Sequence, residues 1–377
     1  MMILLIIISV ITSAYVLFMF SLSLGLVRLS KQKNKEDLAD ISGISLIVCF
    51  RNEQQHLPLL LKSIQSQETL SMPLEVIFVD DHSEDAGPEI IEGFMKQQKN
   101  IRIQLIRLSE MENLKGKKAA QRAGVEAATH DVIAFTDADC VFPLQWLKNM
   151  SGFLQTGIRL VCGPVEYAPA TTLREKLFQA EFLSLILSGA GAFGIHKPIF
   201  CNGANMLLRR STFLDIADSM EGTRHASGDD VFLLHAILKK CGTGSVAFAA
   251  KRDCIVSTPP PHSFGGFFTQ RIRWASKSVS YTNSMAIFTA IIVYLMSAGI
   301  FLLLIAGMFN SDYLWAALIA IGVKSLTDAF LFRCGLYLHQ QPWLPLLSIP
   351  LQVLYIPYIS LTGVFSLLFK RKWKGRS

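Results

Sequence analysis

Residues 2 to 27 carry no charged side chain, and an uncharged run of that length limits the possible architecture more than any other stretch. Crossing a bilayer takes roughly 20 apolar residues, so the run reads as a membrane segment. A cleaved leader fits less well, because no basic residues precede the run and it exceeds the usual ~7–15-residue apolar core. Arg28, Lys31, Lys33 and Lys35 follow at once. By the excess of basic residues on cytosolic flanks, residue 28 onward is expected in the cytosol.

Three more apolar stretches occupy the C-terminal part, at 286–308, 314–338 and 344–369. If all three crossed, the basic tail Lys370-Arg371-Lys372-Trp373-Lys374-Gly375-Arg376 would end outside, against the same charge rule. One is therefore expected not to cross. The last holds Pro345, Pro350 and Pro357, and reads as a re-entrant or interfacial hairpin buried against protein. The middle one carries Lys324, Asp328 and Arg333, which would face the bundle interior or a polar cavity.

Between these ends the pattern alternates strand and helix. Ile44–Phe50, Glu75–Val79, residues 101–107 and Val132–Phe135 read as strands, with helical apolar spacing over 53–67, 86–98 and 116–128. Such alternation implies a mainly parallel sheet covered by helices. The fourth strand runs into Thr136-Asp137-Ala138-Asp139. Carboxylates leaving a strand end in an open α/β sheet lie at the crevice where such folds bind ligands. Two of them spaced by one residue suit a diphosphate held through a hard divalent cation, although Asp is also common in solvated turns.

Asp80-Asp81 closes the second strand in the same way, as a ligand-facing acid or as the N-cap of the next helix. Lys115-Gly116-Lys117-Lys118 opens a helix, where a phosphate or plain solvation fits equally. Residues 173–188 read as an amphipathic helix. Cys201-Asn202-Gly203-Ala204-Asn205 is either a substrate approach, with Asn bonding sugar hydroxyls, or a turn. Ser227-Gly228-Asp229-Asp230 precedes an amphipathic helix; one Asp suits an N-cap, and a second acid is what a general base requires. Phe264–Tyr281, containing Gln270-Arg271-Ile272-Arg273-Trp274, reads as an amphipathic helix at the membrane surface. The net charge of +7 gathers largely beside membrane segments, so no nucleic-acid partner is expected. Seven cysteines without a C-x-x-C pair or a His/Cys cluster argue for reduced thiols and against a zinc site.

In this order the pieces resemble the membrane-bound members of glycosyltransferase family 2, over about residues 44 to 280. That family shows an acid at the second strand end, a D-x-D, an acid pair before a helix, and Q-x-x-R-W. Cellulose, hyaluronan and poly-N-acetylglucosamine synthases share the set with ceramide glucosyltransferase. The resemblance implies a GT-A fold flanked by transmembrane helices: an anchor at 1–28, a cytosolic catalytic domain at 40–260, an interface segment at 261–284, membrane segments at 285–370 and a basic cytosolic tail at 371–377. It implies Asp81, Lys117, Asp137 and Asp139 on the donor, with Mg²⁺ or Mn²⁺ at Asp139 and Asp137. Asp230 would be the base beside Asp229, which stands where many members have Glu. Asn205, Gln270, Arg273 and Trp274 would take the acceptor and diphosphate side. The implied activity is inverting transfer from a nucleotide sugar, UDP-linked by family default, to a lipid or lipid-linked acceptor at the cytosolic leaflet of a bacterial membrane. A processive polysaccharide synthase and a non-catalytic export partner are the alternatives.

Overall fold

The computed structural model describes residues 2–32, 41–68, 72–111, 114–217, 229–278 and 280–368. In chain order the first half holds α1 (Met2–Ser30), β1 (Ile44–Phe50), α2 (Leu57–Gln65), β2 (Leu74–Asp80), α3 (Gly87–Gln97), β3 (Arg102–Arg107), α4 (Lys117–Ala127) and β4 (Val132–Asp137). Next come α5 (Trp146–Ser151), β5 (Leu160–Cys162), β6 (Val165–Tyr167), α6 (Leu173–Gly194), β7 (Met206–Arg209) and α7 (Arg210–Ala217). The remainder is α8 (Asp229–Cys241), β8 (Val246–Phe248), β9 (Val256–Thr258), α9 (Phe264–Ser278), α10 (Ser284–Gly307), α11 (Ser311–Cys334), α12 (Leu336–His339) and α13 (Ser348–Leu368).

The chain divides into two compact units. One comprises Lys33–Ala168 and Phe200–Pro259, the other Met1–Gln32, Pro169–Ile199 and Pro260–Ser377. The expected catalytic block 40–260 is thus interrupted: residues 169–199 group with the apolar helices.

The first unit is built on a seven-stranded sheet of order β3-β2-β1-β4-β7-β5-β8. Its first four strands are parallel, and β7 is antiparallel to both β4 and β5. Strands β1, β2 and β4 are almost wholly buried, as continuous apolar runs must be when helices cover both faces. The outermost β3 alternates exposed and half-buried residues and carries Arg102 and Arg107, charges suited to an open edge. From β1 the chain proceeds to β2 on one side and later to β4 on the other. The strand order therefore reverses between β1 and β4, where such sheets open their ligand crevice. A small second sheet pairs β6 with β9, and Val141 bridges to Ser257 beside it.

The second unit holds five helices long and apolar enough to cross a membrane: α1, α6, α10, α11 and a segment Leu344–Gly363 that includes most of α13. Helix α6 was expected as an amphipathic helix over 173–188. It runs 22 residues and starts at a capping box, in which Thr172 Oγ1 accepts from the Glu175 N–H. Its most apolar window is 78% buried within the structure, against 22–39% for the other four. Helices α1 and α6 touch backbone to backbone: a Cβ on Gly191 would lie 2.4 Å from the Leu22 carbonyl oxygen. The last apolar stretch is not the hairpin its prolines suggested. A 3-10 turn (Leu344–Leu347) takes Pro345, Pro350 falls in the first turn of α13, and one helix continues past Pro357. Proline in the first turn loses no intrahelical bond. Lys324 is 1% exposed, pairs with Asp328 at 2.6 Å and is joined there by Tyr15 and Gln352, while Arg333 is exposed near the end of α11. The tail 370–376 lies outside the described residues.

Candidate active site

Register brings the acids to one edge. Asp80 pairs across from Phe50, and Asp137 from Cys49, so β1, β2 and β4 end level at their carboxyl ends. Each strand is apolar up to that point and turns polar on leaving the sheet. The loops after β1 and β2 are laced together. Asn52 Oδ1 accepts from the Glu84 N–H at 2.8 Å, and Asp85 Oδ2 accepts from the Gln54 N–H at 2.8 Å.

Asp80 and Asp81 divide the roles that the sequence left open. Asp80 turns inward and accepts from the Ser83 N–H at 2.9 Å, shaping the loop. Asp81, 2% exposed, accepts from the Gly116 N–H at 2.9 Å and contacts His82 Nδ1 at 3.2 Å. Gly116 has φ +92°, a left-handed conformation that glycine adopts without strain, and it aims that N–H at the acid. Lys117 then begins α4 with its ammonium 2.6 Å from Asp137 Oδ1. Burial works against the charge on Lys117, but Asp137 in contact and Asp230 beyond it hold the ammonium well above the ordinary lysine range. Asp137 and Asp230 thus both favour the charge on one cation.

Asp139 is raised above the usual carboxylate range, first by burial and then by Asp137 and Glu53. Its Oδ1 lies 3.5 Å from the Cys140 thiol, which burial also pushes upward. Among the described residues no group of three His, Cys, Asp or Glu is placed to hold a metal.

Asp230 sits in the first turn of α8. Its Oδ2 accepts from the Gly203 N–H at 2.8 Å, and its Oδ1 from the Val231 N–H at 2.9 Å. The Gly203 N–H is thus taken up by the acid. Asp229 opens the same helix, but its side chain lies outside the described residues, as do Ser227 and Gly228.

Asn205 corrects an expectation. Assigned to the acceptor side, it is 0% exposed and fully engaged. Its Oδ1 accepts from Trp146 Nε1 at 3.0 Å, and its Nδ2 donates to the carbonyls of Pro164 and Cys254 at 2.7 Å each. No hydrogen-bonding atom of it is left for a sugar. Glu53, conversely, escaped the sequence reading. It bonds His56 Nδ1 at 2.8 Å and adds to the negative field at Asp139. Its position just beyond β1 is the same strand-end signal that marked Asp81 and Asp137.

Gln270, Arg273 and Trp274 belong to the other unit, on α9. Gln270 Oε1 accepts from Arg271 at 2.6 Å, and the Trp274 ring lies 4.4 Å from the Arg271 guanidinium carbon.

A model described as glycosyl transferase family 2 matches residues 45–216, and one described as glycosyl transferase family group 2 matches residues 132–338. Glycosyltransferase AglE of Haloferax volcanii is 34% identical over 125 residues, 33% of this chain and 40% of that protein. Undecaprenyl-phosphate 4-deoxy-4-formamido-L-arabinose transferase of Pectobacterium atrosepticum is 27% identical over 181 residues, 48% of this chain and 47% of that one. The matches thus span less than half the length of these relatives. Among solved structures, a mannosyltransferase from Pyrobaculum calidifontis, in complex with GDP-Man and Mn²⁺, superimposes with TM-score 0.58 at 18% identity. That likeness covers 96% of this chain and 99% of that one, and it is a likeness of fold.

Proposed function

The chain belongs to glycosyl transferase family group 2, and we propose that it moves a sugar from a nucleotide-sugar donor to a hydroxyl of a lipid or lipid-linked acceptor at a membrane face. The observation that carries the reading is the charge arrangement at the ends of β1, β2 and β4. There Asp81 braces the start of α4, Lys117 pairs with Asp137 within the field of Asp230, and the half-buried Asp139 lies in the field of Asp137.

Each part has work in such a reaction. Asp81 borders the nucleoside side of the crevice. Lys117, at a helix N-terminus, offers a positive charge to a phosphate. Asp137 and Asp139 suit a divalent ion: they supply hard oxygen donors, and the burial and repulsion that raise Asp139 are what a cation relieves. Mg²⁺ commonly takes one or two carboxylates and fills its shell with substrate phosphate and water, so two protein ligands suffice. Bound there, Mg²⁺ or Mn²⁺ would neutralise charge developing on the departing diphosphate.

Asp230 is the proposed base. It takes the proton from the acceptor hydroxyl as that oxygen attacks the anomeric carbon, while the nucleoside diphosphate leaves from the opposite face. The single displacement inverts the centre, so an α-linked donor gives a β-linked product. Gln270, Arg273 and Trp274 take the acceptor and diphosphate side, with Arg273 adding positive charge at the leaving group. A lipid acceptor is favoured by the apolar helices and by a relative named for undecaprenyl phosphate. The base favours a hydroxyl nucleophile, since a phosphate monoester is already ionised and needs no proton removed. Helices α1, α10 and α11 are proposed to cross the membrane, leaving the α/β unit cytosolic.

The test is incubation of the purified full chain with a panel of nucleotide sugars, a membrane lipid extract and Mn²⁺ or Mg²⁺, with products read by mass spectrometry. One added sugar on a lipid, abolished by a chelator, is the expected result. No transfer from any donor overturns the reading, and a ladder of sugars converts it to a polymer synthase.

A further inference from the structure

The Q-x-x-R-W pattern fixes Gln270, Arg273 and Trp274 and leaves residue 271 unspecified, yet Arg271 is the one residue of the five that is fully buried, at 3% exposure. Its guanidinium fork is completely used. Nε lies 3.0 and 3.1 Å from the two carboxylate oxygens of Glu181, and a further nitrogen closes on Oε2 of the same group. The other terminal nitrogen donates to Gln270 Oε1 at 2.6 Å. The guanidinium carbon lies 4.4 Å from the Trp274 ring centroid and 4.5 Å from that of Phe267. Glu181 comes from α6, is itself 3% exposed, and also accepts from Tyr358 Oη of α13 at 3.4 Å.

We propose that Arg271 is a positioning residue: held by Glu181, it fixes the carboxamide of Gln270 and the indole of Trp274 in one relative orientation. A buried ion pair is weak support for stability by itself, because desolvation consumes most of the attraction. Here the same cation also reaches the side chains on both sides of it along α9. Only a planar, multi-donor cation meets a carboxylate, a carboxamide and an aromatic face together, and a lysine cannot. The role in turnover rests on the glycosyltransferase reading; the orientation of Gln270 and Trp274 does not.

The test uses full-length protein in detergent with the variants R271K and E181Q, which keep bulk and change only the fork or the charge. Transfer is expected to fall about 10-fold or more in kcat, as misplacement of a group that orients the reacting partners would do. R271K combined with Q270A should lose less than the two single losses together, since part of the effect of Arg271 runs through Gln270 and the rest through Trp274. Independently of turnover, acrylamide quenching of Trp274, isolated by difference from W274F, should rise in both R271K and E181Q. A purely structural pair would lower the unfolding midpoint, leave kcat per folded molecule intact and add to Q270A in full. That pattern, or unchanged Trp274 quenching, overturns the proposal. Absence of turnover in the unmodified protein would instead overturn the function reading, with the quenching arm still deciding this one.

Discussion

Replacing Asn205 by alanine separates a structural role from a substrate-facing one. The side chain joins β7 to Trp146 of α5 and to the segments around Pro164 and Cys254 through three hydrogen bonds. Trp146 is itself fully buried, so its indole N–H would find no water in exchange. Each buried group left without a partner costs roughly 1–3 kcal/mol, and carbonyls with a second lone pair suffer least. The loss comes to about 3–4 kcal/mol, or roughly 6–16 °C in unfolding midpoint for a unit of this size. Trp146→Phe orphans the Asn205 oxygen and leaves a cavity in place of part of the indole, and should cost roughly 2–4 kcal/mol. The assay is thermal unfolding of the full chain followed by circular dichroism at one scan rate, paired with donor titration well below the transition. Asn205→Ala should melt early yet bind donor normally while folded. A normal midpoint with impaired acceptor use would refute the reasoning and return Asn205 to the site.

Two further outcomes follow from buried groups away from the site. Glu75 accepts from Ser45 Oγ at 2.5 Å and from the Thr129 N–H at 2.6 Å; burial pushes its carboxyl up, but these bonds outweigh it and hold the group below its ordinary range. A depressed folded value means the contribution is complete above about 4.5 and disappears as pH falls through the lower folded value, so Glu75→Gln should flatten the acid limb of an unfolding-midpoint-versus-pH curve. Burial pushes the Cys254 thiol up to about 12, whereas Cys241 is exposed. Iodoacetamide on the native protein at neutral pH should therefore label Cys241 and spare Cys254, as read by peptide mass spectrometry.

What the sequence revealed and what it concealed divide along one physical line. Strands β1, β2 and β4 were legible because a parallel strand buried on both faces is a continuous apolar run, and a carboxylate ending such a run marks the crevice. Asp80-Asp81 and Asp137 come to one sheet edge for that reason. Helix α6 was read as amphipathic over 173–188, yet it runs to Gly194 and buries Glu181. Its partner Arg271 lies 90 positions away, and no local pattern announces the pairing. Asn205 misled in the same manner: a Gly/Asn-rich segment reads as a turn or an approach to a sugar. Its burial is decided by residues 41 to 59 positions distant. The prolines of 344–369 suggested a broken segment because proline interrupts helices in general, yet two of the three occupy a 3-10 turn or the first turn of α13.

The central claim is that the acids at this sheet edge perform sugar transfer with Asp230 as the base. Its most direct measurement is lipid glycosylation by the wild-type chain and by Asp230→Asn, with nucleotide affinity titrated on the same preparations. The account predicts that Asp230→Asn binds the donor nucleotide like the wild type and loses transfer by about 100-fold or more. Transfer by Asp230→Asn at the wild-type rate would contradict it.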